Sequence, residues 1–307
     1  MRLLVTGASG MLGCDVMRAG RRAGHELVGL GHSELDLIDA DAVESAFQRL
    51  SPDAAVNCAA WTDVDGAESH PEEARAVNAD GAGNLARAAE AAGAPLVHVS
   101  TDYVFAGDPP HDATGAPRPY VESDPTGPRS VYGRTKLEGE LEVLAASGRH
   151  VVARSSWLFG VDGRNFVATM LRLAGAGAGA GAGEGGEPVG PDRATPAVQV
   201  VTDQIGCPTW TGHLAPALIG LLEREVSGLV HLAGAGEVSW NGFAREIFRQ
   251  AEVECRVEPA SSEQIARPAP RPRWSALASE REDVLAMPDW RDGLAGYLAA
   301  RAGMMRT

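Results

Sequence analysis

Thr6-Gly7-Ala8-Ser9-Gly10-Met11-Leu12-Gly13 is the stretch on which the fold reading turns. It follows a short, mostly apolar run at residues 3–6 and opens a segment of helical length at 11–22. At a strand-to-helix junction each glycine has a separate task. Gly7 permits the tight turn, Gly10 lets backbone approach a pyrophosphate, and Gly13 allows helix and strand to pack closely. The helix start then presents unpaired N–H groups and the positive end of its dipole to phosphates. A plain turn could carry the same glycines, so their surroundings decide the reading.

Outward from this junction, apolar runs of strand length at 3–6, 26–30, 54–58, 96–100 and 150–153 alternate with helical stretches at 11–22, 41–50, 71–92 and 131–146. Pro71 suits a first helical turn, and Gly93-Ala94-Pro95 ends that helix. The alternation predicts an α/β fold, a Rossmann-type doubly wound parallel sheet over residues 1–155. After about Ser155 the pattern loosens. Strand-like runs at 198–202 and 229–232 are expected to rejoin the main sheet, so that about 198–233 belongs with it. Residues 156–197 and 234–290 are expected to form a smaller substrate-binding lobe, with helices at 240–251 and 290–300 and a Pro/Arg-rich loop at 259–273. Residues 175–183 alternate Gly and Ala, and 175–186 is expected to be a flexible surface loop because it lacks side chains to pack.

Composition narrows the function classes. The 41 acidic against 27 basic residues give a net charge of -14, which argues against a nucleic-acid surface. No run approaches a membrane span, and the N-terminus lacks the pattern of a signal peptide. Cys14, Cys58, Cys207 and Cys255 are scattered without metal or disulfide spacing, so a cytoplasmic protein with no metal is expected. Arginine is abundant, yet Lys136 is the single lysine. A position that keeps lysine in such a chain is a candidate for chemistry that arginine cannot do.

That lysine lies in Tyr132-Gly133-Arg134-Thr135-Lys136. Residues four apart share a helix face, so phenol and ammonium project together. A nearby cation is expected to lower the tyrosine pKa and make Tyr132 a proton donor to a carbonyl oxygen. Thr101, within Ser100-Thr101-Asp102-Tyr103, closes the fourth strand at the sheet edge where ligands bind, and its hydroxyl could hold the same carbonyl. The acid that often closes the second strand and grips an adenosine ribose is missing from Gly29-Leu30-Gly31-His32-Ser33. The cofactor is therefore open between NADH and NADPH, with NADPH favoured.

Together these residues resemble the extended short-chain dehydrogenase/reductase superfamily, and within it the dTDP-4-dehydrorhamnose reductase family. Further blocks carry the likeness: Asn57-Cys58-Ala59-Ala60-Trp61-Thr62-Asp63-Val64-Asp65, Val77-Asn78-Ala79, Arg154-Ser155-Ser156-Trp157, Asn165-Phe166, Thr202-Asp203-Gln204-Ile205-Gly206-Cys207-Pro208-Thr209, His231-Leu232-Ala233-Gly234 and Pro270-Arg271-Pro272. They span about residues 2–277. The resemblance implies that Gly10, Met11 and Leu12 meet the cofactor pyrophosphate, in a cofactor-binding set with Gly7 and Gly13, and that Asp36 and Leu37 meet its adenine end. It implies that Ala59, Ala60, Trp61 and Thr62 line the dinucleotide, which Tyr132 and Lys136 also touch. Thr101, Asp102 and Trp157 would meet the sugar. The Ala-Gly insertion and the arginine-rich tail depart from the family pattern and leave monomer or homodimer open. Some members hold magnesium at a dimer contact, but no matching carboxylate set occurs here.

The activity implied is reduction of the C4 ketone of a dTDP-linked 4-dehydro-6-deoxyhexose, with Thr101, Tyr132 and Lys136 as the catalytic set and a nucleotide-sugar as partner. A sister reductase of an antibiotic deoxysugar pathway is the near alternative. Sugar-nucleotide dehydratases share the scaffold but follow the threonine with Asp-Glu, where this chain has Asp102-Tyr103. The regulatory subunit of methionine adenosyltransferase is a non-catalytic relative, against which the intact Thr101/Tyr132/Lys136 set speaks.

Overall fold

The computed structural model describes residues 1–179 and 195–304. Its first half runs β1 (Arg2–Thr6), α1 (Met11–Arg22), β2 (Glu26–Leu30), α2 (Ala40–Leu50), β3 (Ala54–Asn57), α3 (Val64–Ser69), α4 (Pro71–Arg75), a π-helical turn (Ala76–Gly81), α5 (Ala82–Ala91), β4 (Leu96–Thr101), a 3-10 turn (Asp102–Val104), α6 (Val131–Ala146) and β5 (Val151–Ser155). It continues through β6 (Leu158–Phe159), α7 (Phe166–Gly179), β7 (Ala197–Val201), β8 (Ile205–Gly206), β9 (Thr209–Trp210), α8 (Thr211–Glu223), β10 (Gly228–His231), β11 (Val238–Ser239), α9 (Trp240–Gln250), β12 (Arg256–Ala260) and α10 (Trp290–Met304). Among the described residues, no helix is long and apolar enough to cross a membrane.

Six strands form one parallel sheet in the order β10-β5-β4-β3-β1-β2. Both faces are covered. Leu3, Val5, Val56 and Ala153 pack with Leu12 and Val16 of α1 and Leu214, Leu218 and Leu222 of α8. Leu4, Ala55, Leu96 and Val152 pack on the other face with Phe47, Leu85 and Val143. This explains why these strands carry no polar alternation: a sheet wrapped on two sides has no wet face. The chain leaves β1 for β2 on one side and returns to β3 on the other, so strand order reverses between β1 and β3. Crevices for ligands open at the carboxyl ends of such strands.

The expected strand at 198–202 does not rejoin this sheet. β7 pairs in parallel with β12 in a separate ladder, with Val198 opposite Val257 and Val200 opposite Pro259. The residues give the reason: Val198 and Val200 are buried while Ala197 and Gln199 are exposed, the pattern of a strand with one wet face. Residues 228–231 do rejoin, as β10 beside β5. Around β7 the lobe has its own core, built from Phe159, Val167, Met170, Phe243, Ile247, Trp290 and Tyr297. The expected loop at 175–186 also begins differently, because residues 175–179 continue α7. Burial of Met170 and Ala174 anchors that helix and carries it into 175–179, where alanines favour the helix and glycines oppose it. The rest of that segment lies outside the described residues.

The helix expected over 71–92 is one path interrupted by the π-helical turn at Ala76–Gly81. Asn78 sits in that turn and reaches the loop after β3: it accepts from Trp61 N at 2.8 Å and donates to Thr135 Oγ1 at 3.1 Å. Helix α6 passes so near that a Cβ on Gly139 would lie 2.1 Å from the Asn78 carbonyl oxygen.

Beneath the cleft edge, Arg154 of β5 and Glu140 of α6 form a bidentate pair at 2.9 and 2.7 Å, their side chains 4% and 2% exposed. Ser100 donates to the same carboxylate at 2.6 Å. A buried pair is costly to break because the survivor keeps its charge without a partner. Glu140→Leu should therefore lower the unfolding free energy by about 3–5 kcal/mol in urea titrations. Glu140→Leu with Arg154→Met should recover most of that loss, and equal losses in the single and double variants would contradict the pair's role.

Candidate active site

The carboxyl ends of β1, β3, β4 and β5 open into a cleft of about 840 Å³. Its floor at β1 is backbone. Gly7 has φ +66°, and a Cβ there would lie 2.6 Å from Ala59 N. A Cβ on Gly13 would lie 2.1 Å from the Gly7 carbonyl oxygen, so helix α1 can approach β1 only through glycine. Gly10 precedes α1 without a side-chain cap, leaving the first-turn N–H groups of Met11, Leu12 and Gly13 facing the cleft for an anion.

From this floor the cleft passes along Asp36 and Leu37, then Ala59, Ala60, Trp61 and Thr62, to Thr101, Asp102, Tyr132, Lys136 and Trp157. Every residue singled out from the sequence thus lines one cavity. Ser130 caps α6 by accepting from Gly133 N, which directs the Tyr132-to-Lys136 turn at the end of β4. Gly133 is needed there because a Cβ would meet the Tyr103 carbonyl oxygen at 2.3 Å.

The electrostatics differ from expectation at Tyr132. Its phenol is pushed up to about 12, by burial first, with Asp102 adding to the rise and a hydrogen bond with Thr101 opposing it. Lys136 is not among the causes, contrary to expectation; its side-chain nitrogen turns to β4, donating to the Val99 carbonyl at 2.8 Å and lying 3.2 Å from His98 Nε2. Burial pulls Lys136 down to about 8, against Glu140 and Cys58, which raise it. Asp102, which accepts from Thr101 at 3.0 Å, is pushed up to about 6, again by burial first. Tyr103 meets Tyr132 edge-on at 5.5 Å, and burial pushes its phenol up as well. A phenol that keeps its proton through neutral pH can donate one to a developing alkoxide.

The far end of the cleft is walled by Trp157, which the sequence reading named, and Trp240, which it did not. Trp157 has φ +47°, a left-handed conformation rare for a bulky side chain. Its indole stacks on Trp240 at 3.5 Å and 3°, and its other neighbour is Gly206, where a Cβ would lie 2.5 Å from Trp157 Cε2. Trp240 also lines the cleft. His98 and Asn57 were missed too. A histidine inside the apolar run Leu96-Val97-His98-Val99 was the available signal for the first, and the second headed the quoted block at 57–65 without an assigned role.

The end of β2 at Leu30 carries no acid of its own, as the sequence reading has it, but the first acid after it folds back toward it. Glu34 turns back and accepts from Gly31 N at 2.5 Å, beside Ser9. Reading residues along the strand could not show this return.

The comparisons with known proteins agree with this geometry. Residues 1–180 and 191–302 match the family model described as RmlD substrate binding domain. The chain belongs to this family. It is 44% identical over 308 residues to the dTDP-4-dehydrorhamnose reductase of Mycobacterium tuberculosis, covering 98% of this chain and 93% of that protein. It is 40% identical to a probable dTDP-4,6-dihydroxy-2-methyloxan-3-one 4-ketoreductase of Streptomyces antibioticus, covering 96% of this chain and 93% of that protein. Among solved structures, the dTDP-4-dehydrorhamnose reductase of Bacillus anthracis in complex with NADP superposes with a TM-score of 0.87 at 32% identity, covering 97% of this chain and 99% of that one.

Glu34 generates a prediction about cofactor choice. Its carboxylate would repel a ribose 2′-phosphate, so Glu34→Gln should shift relative affinity toward NADPH over NADH by about fivefold, an effect of about 1 kcal/mol at an exposed rim. Fluorescence titration of both variants with each dinucleotide checks this. An unchanged ratio would place the adenosine ribose away from Glu34.

Proposed function

We propose that this protein reduces the C4 ketone of a dTDP-linked 4-dehydro-6-deoxyhexose, converting dTDP-4-dehydrorhamnose to dTDP-rhamnose with NADPH or NADH. The observation that carries this reading is the protonated Tyr132 phenol against the Thr101 hydroxyl, in the same cleft as the glycine cradle of α1. The cradle fits a dinucleotide because Gly7 and Gly13 leave no room for side chains and Gly10 leaves the helix N-terminus open. The names of the relatives and the NADP complex of the Bacillus anthracis protein support the same substrate and cofactor.

A bound nicotinamide dinucleotide supplies the hydride. Thr101 holds the ketone oxygen by hydrogen bonding, and Tyr132 delivers a proton to that oxygen as negative charge develops on it. Lys136 would hold the ribose of a bound dinucleotide, and the Gly10-to-Gly13 backbone its pyrophosphate. Asp102 meets the hexose through a hydrogen bond, beside the Trp157 indole that walls this end of the cleft. The dehydratase alternative lacks a base: Tyr103 stands where the glutamate would be, and its phenol is held protonated by burial. The Streptomyces antibioticus relative supports a sister 4-ketoreductase as the second reading, with the same chemistry on another hexose. The four unpaired thiols support a cytoplasmic setting.

Turnover of enzymatically prepared dTDP-4-dehydrorhamnose, followed as loss of NADPH absorbance with product identified by chromatography, tests the assignment. Tyr132→Phe should lower kcat by about 10²–10⁴-fold. Lys136→Arg should lower it by at least about tenfold, because a planar guanidinium does not fit a site built for a compact ammonium. Wild-type turnover by Lys136→Arg would show that the lone lysine is incidental. Elimination of water from dTDP-glucose by the purified protein would overturn the reaction type.

A further inference from the structure

A buried hydrogen-bond chain runs from β1 through β3 and β4 to Lys136, and its donors and acceptors can be assigned. Asn57 Oδ1 accepts from Ala59 N at 3.0 Å and from Thr6 Oγ1 at 2.7 Å. The Ala59 N–H is a backbone donor and has no alternative role, so it fixes the oxygen of the amide on that side. Asn57 Nδ2 therefore faces His98 Nδ1, at 2.9 Å, and donates to it. His98 Nδ1 then carries no proton, and the neutral imidazole bears its proton on Nε2, the nitrogen that faces Lys136 Nζ at 3.2 Å. Asn57 and His98 are each 1% exposed and Lys136 2%, so no bulk water relieves a conflict there.

An Nε2–H pointing at an ammonium would set donor against donor. The contact is satisfied when Lys136 is an uncharged amine, accepting from His98 and donating to the Val99 carbonyl at 2.8 Å. We propose that His98 is a positioning residue: locked by Asn57 in its Nε2–H tautomer, it favours the neutral amine of Lys136 in the free protein, so that in mildly alkaline solution dinucleotide binding takes up a proton at Lys136 Nζ. The proton comes from solvent, and the ribose hydroxyls and phosphates of the dinucleotide favour the ammonium once they are near. The coupling rests on the functional reading above.

The groups facing this pair agree with it. Burial holds His98 well below the usual histidine range, with the Lys136 charge acting in the same direction. Glu140 on the same helix and Cys58 beyond β3 pull Lys136 upward, yet burial leaves it at about 8. Cys58 and Tyr132, both pushed up to about 12, keep their protons well above that value. A proton taken up at about pH 9, one unit above the Lys136 value of about 8, therefore reports on Lys136 among these groups.

The single lysine makes the test direct. Protein labelled with ¹⁵Nζ-lysine gives one side-chain resonance, whose shift separates amine from ammonium. The free wild-type protein should titrate near 8, far below an ordinary lysine. Calorimetry of NADPH and of NADH binding at about pH 9, in buffers of different ionisation enthalpy, should show uptake of most of one proton per site. In His98→Gln the terminal amide can turn its oxygen toward Lys136 and accept from an ammonium. That variant should raise the lysine midpoint by at least one pH unit and abolish most of the proton uptake. Burial alone would leave both unchanged in the isosteric variant, and that result would overturn the proposal. So would an ordinary lysine midpoint in the free wild-type protein, a readout that needs neither the variant nor the cofactor. Binding without proton uptake overturns the coupling alone, whereas failure of both dinucleotides to bind overturns the coupling together with the functional reading.

Discussion

The contact between backbone and backbone at Gly7 and Gly13 is the constraint on which the rest of the cleft depends. Helix α1 must start within van der Waals distance of β1 and of the loop after β3, and any side chain at either position would occupy backbone space. That approach places the helix N-terminus at the reversal of strand order, between β1 and β3. The other strands then bring their own carboxyl ends into line through parallel register, with Thr101 of β4 paired to Ser155 of β5. Chemistry contributed by elements more than a hundred residues apart thus meets in one crevice, as the reversed winding of an open parallel sheet requires.

Burial is the dominant electrostatic influence inside that crevice. It is the first cause of the shifts at Asp102, Tyr132, Lys136 and His98, raising the acids and lowering the bases. Each group is pushed toward its uncharged form, and at Asp102 and Tyr132 this keeps negative charge out of a site that accepts anionic ligands in a chain of net charge -14. The buried charges of Glu140 and Arg154 are joined by two hydrogen bonds and sit behind the cleft.

The lobe acts on the cleft through packed aromatic faces. Trp157 leaves β5 with a left-handed backbone and is held between Gly206 of β8 and Trp240 of α9. Its orientation therefore depends on the lobe core that β7, β12 and α9 build, and the lobe's separation from the main sheet lets that wall be shaped without disturbing the cofactor floor.

Much of this was legible in the sequence because it is local. Glycine spacing at 7, 10 and 13, the four-residue step from Tyr132 to Lys136 and the apolar strands are short-range patterns whose geometry follows from helix and strand periodicity. Even the separate placement of β7 was written in the alternation around Gln199, although the expected strand was set in the wrong sheet. What the tertiary structure alone decided involves partners distant in sequence or a turn of the chain. Glu34 folds back to Gly31, Trp157 meets Trp240, and Asn57, His98 and Lys136 join from three elements. The charge state of Tyr132 belongs with these. An adjacent lysine on the same helix suggested a lowered phenol, but a pKa is set by how much water and which charges surround the group, and that is known only once the chain has closed around it.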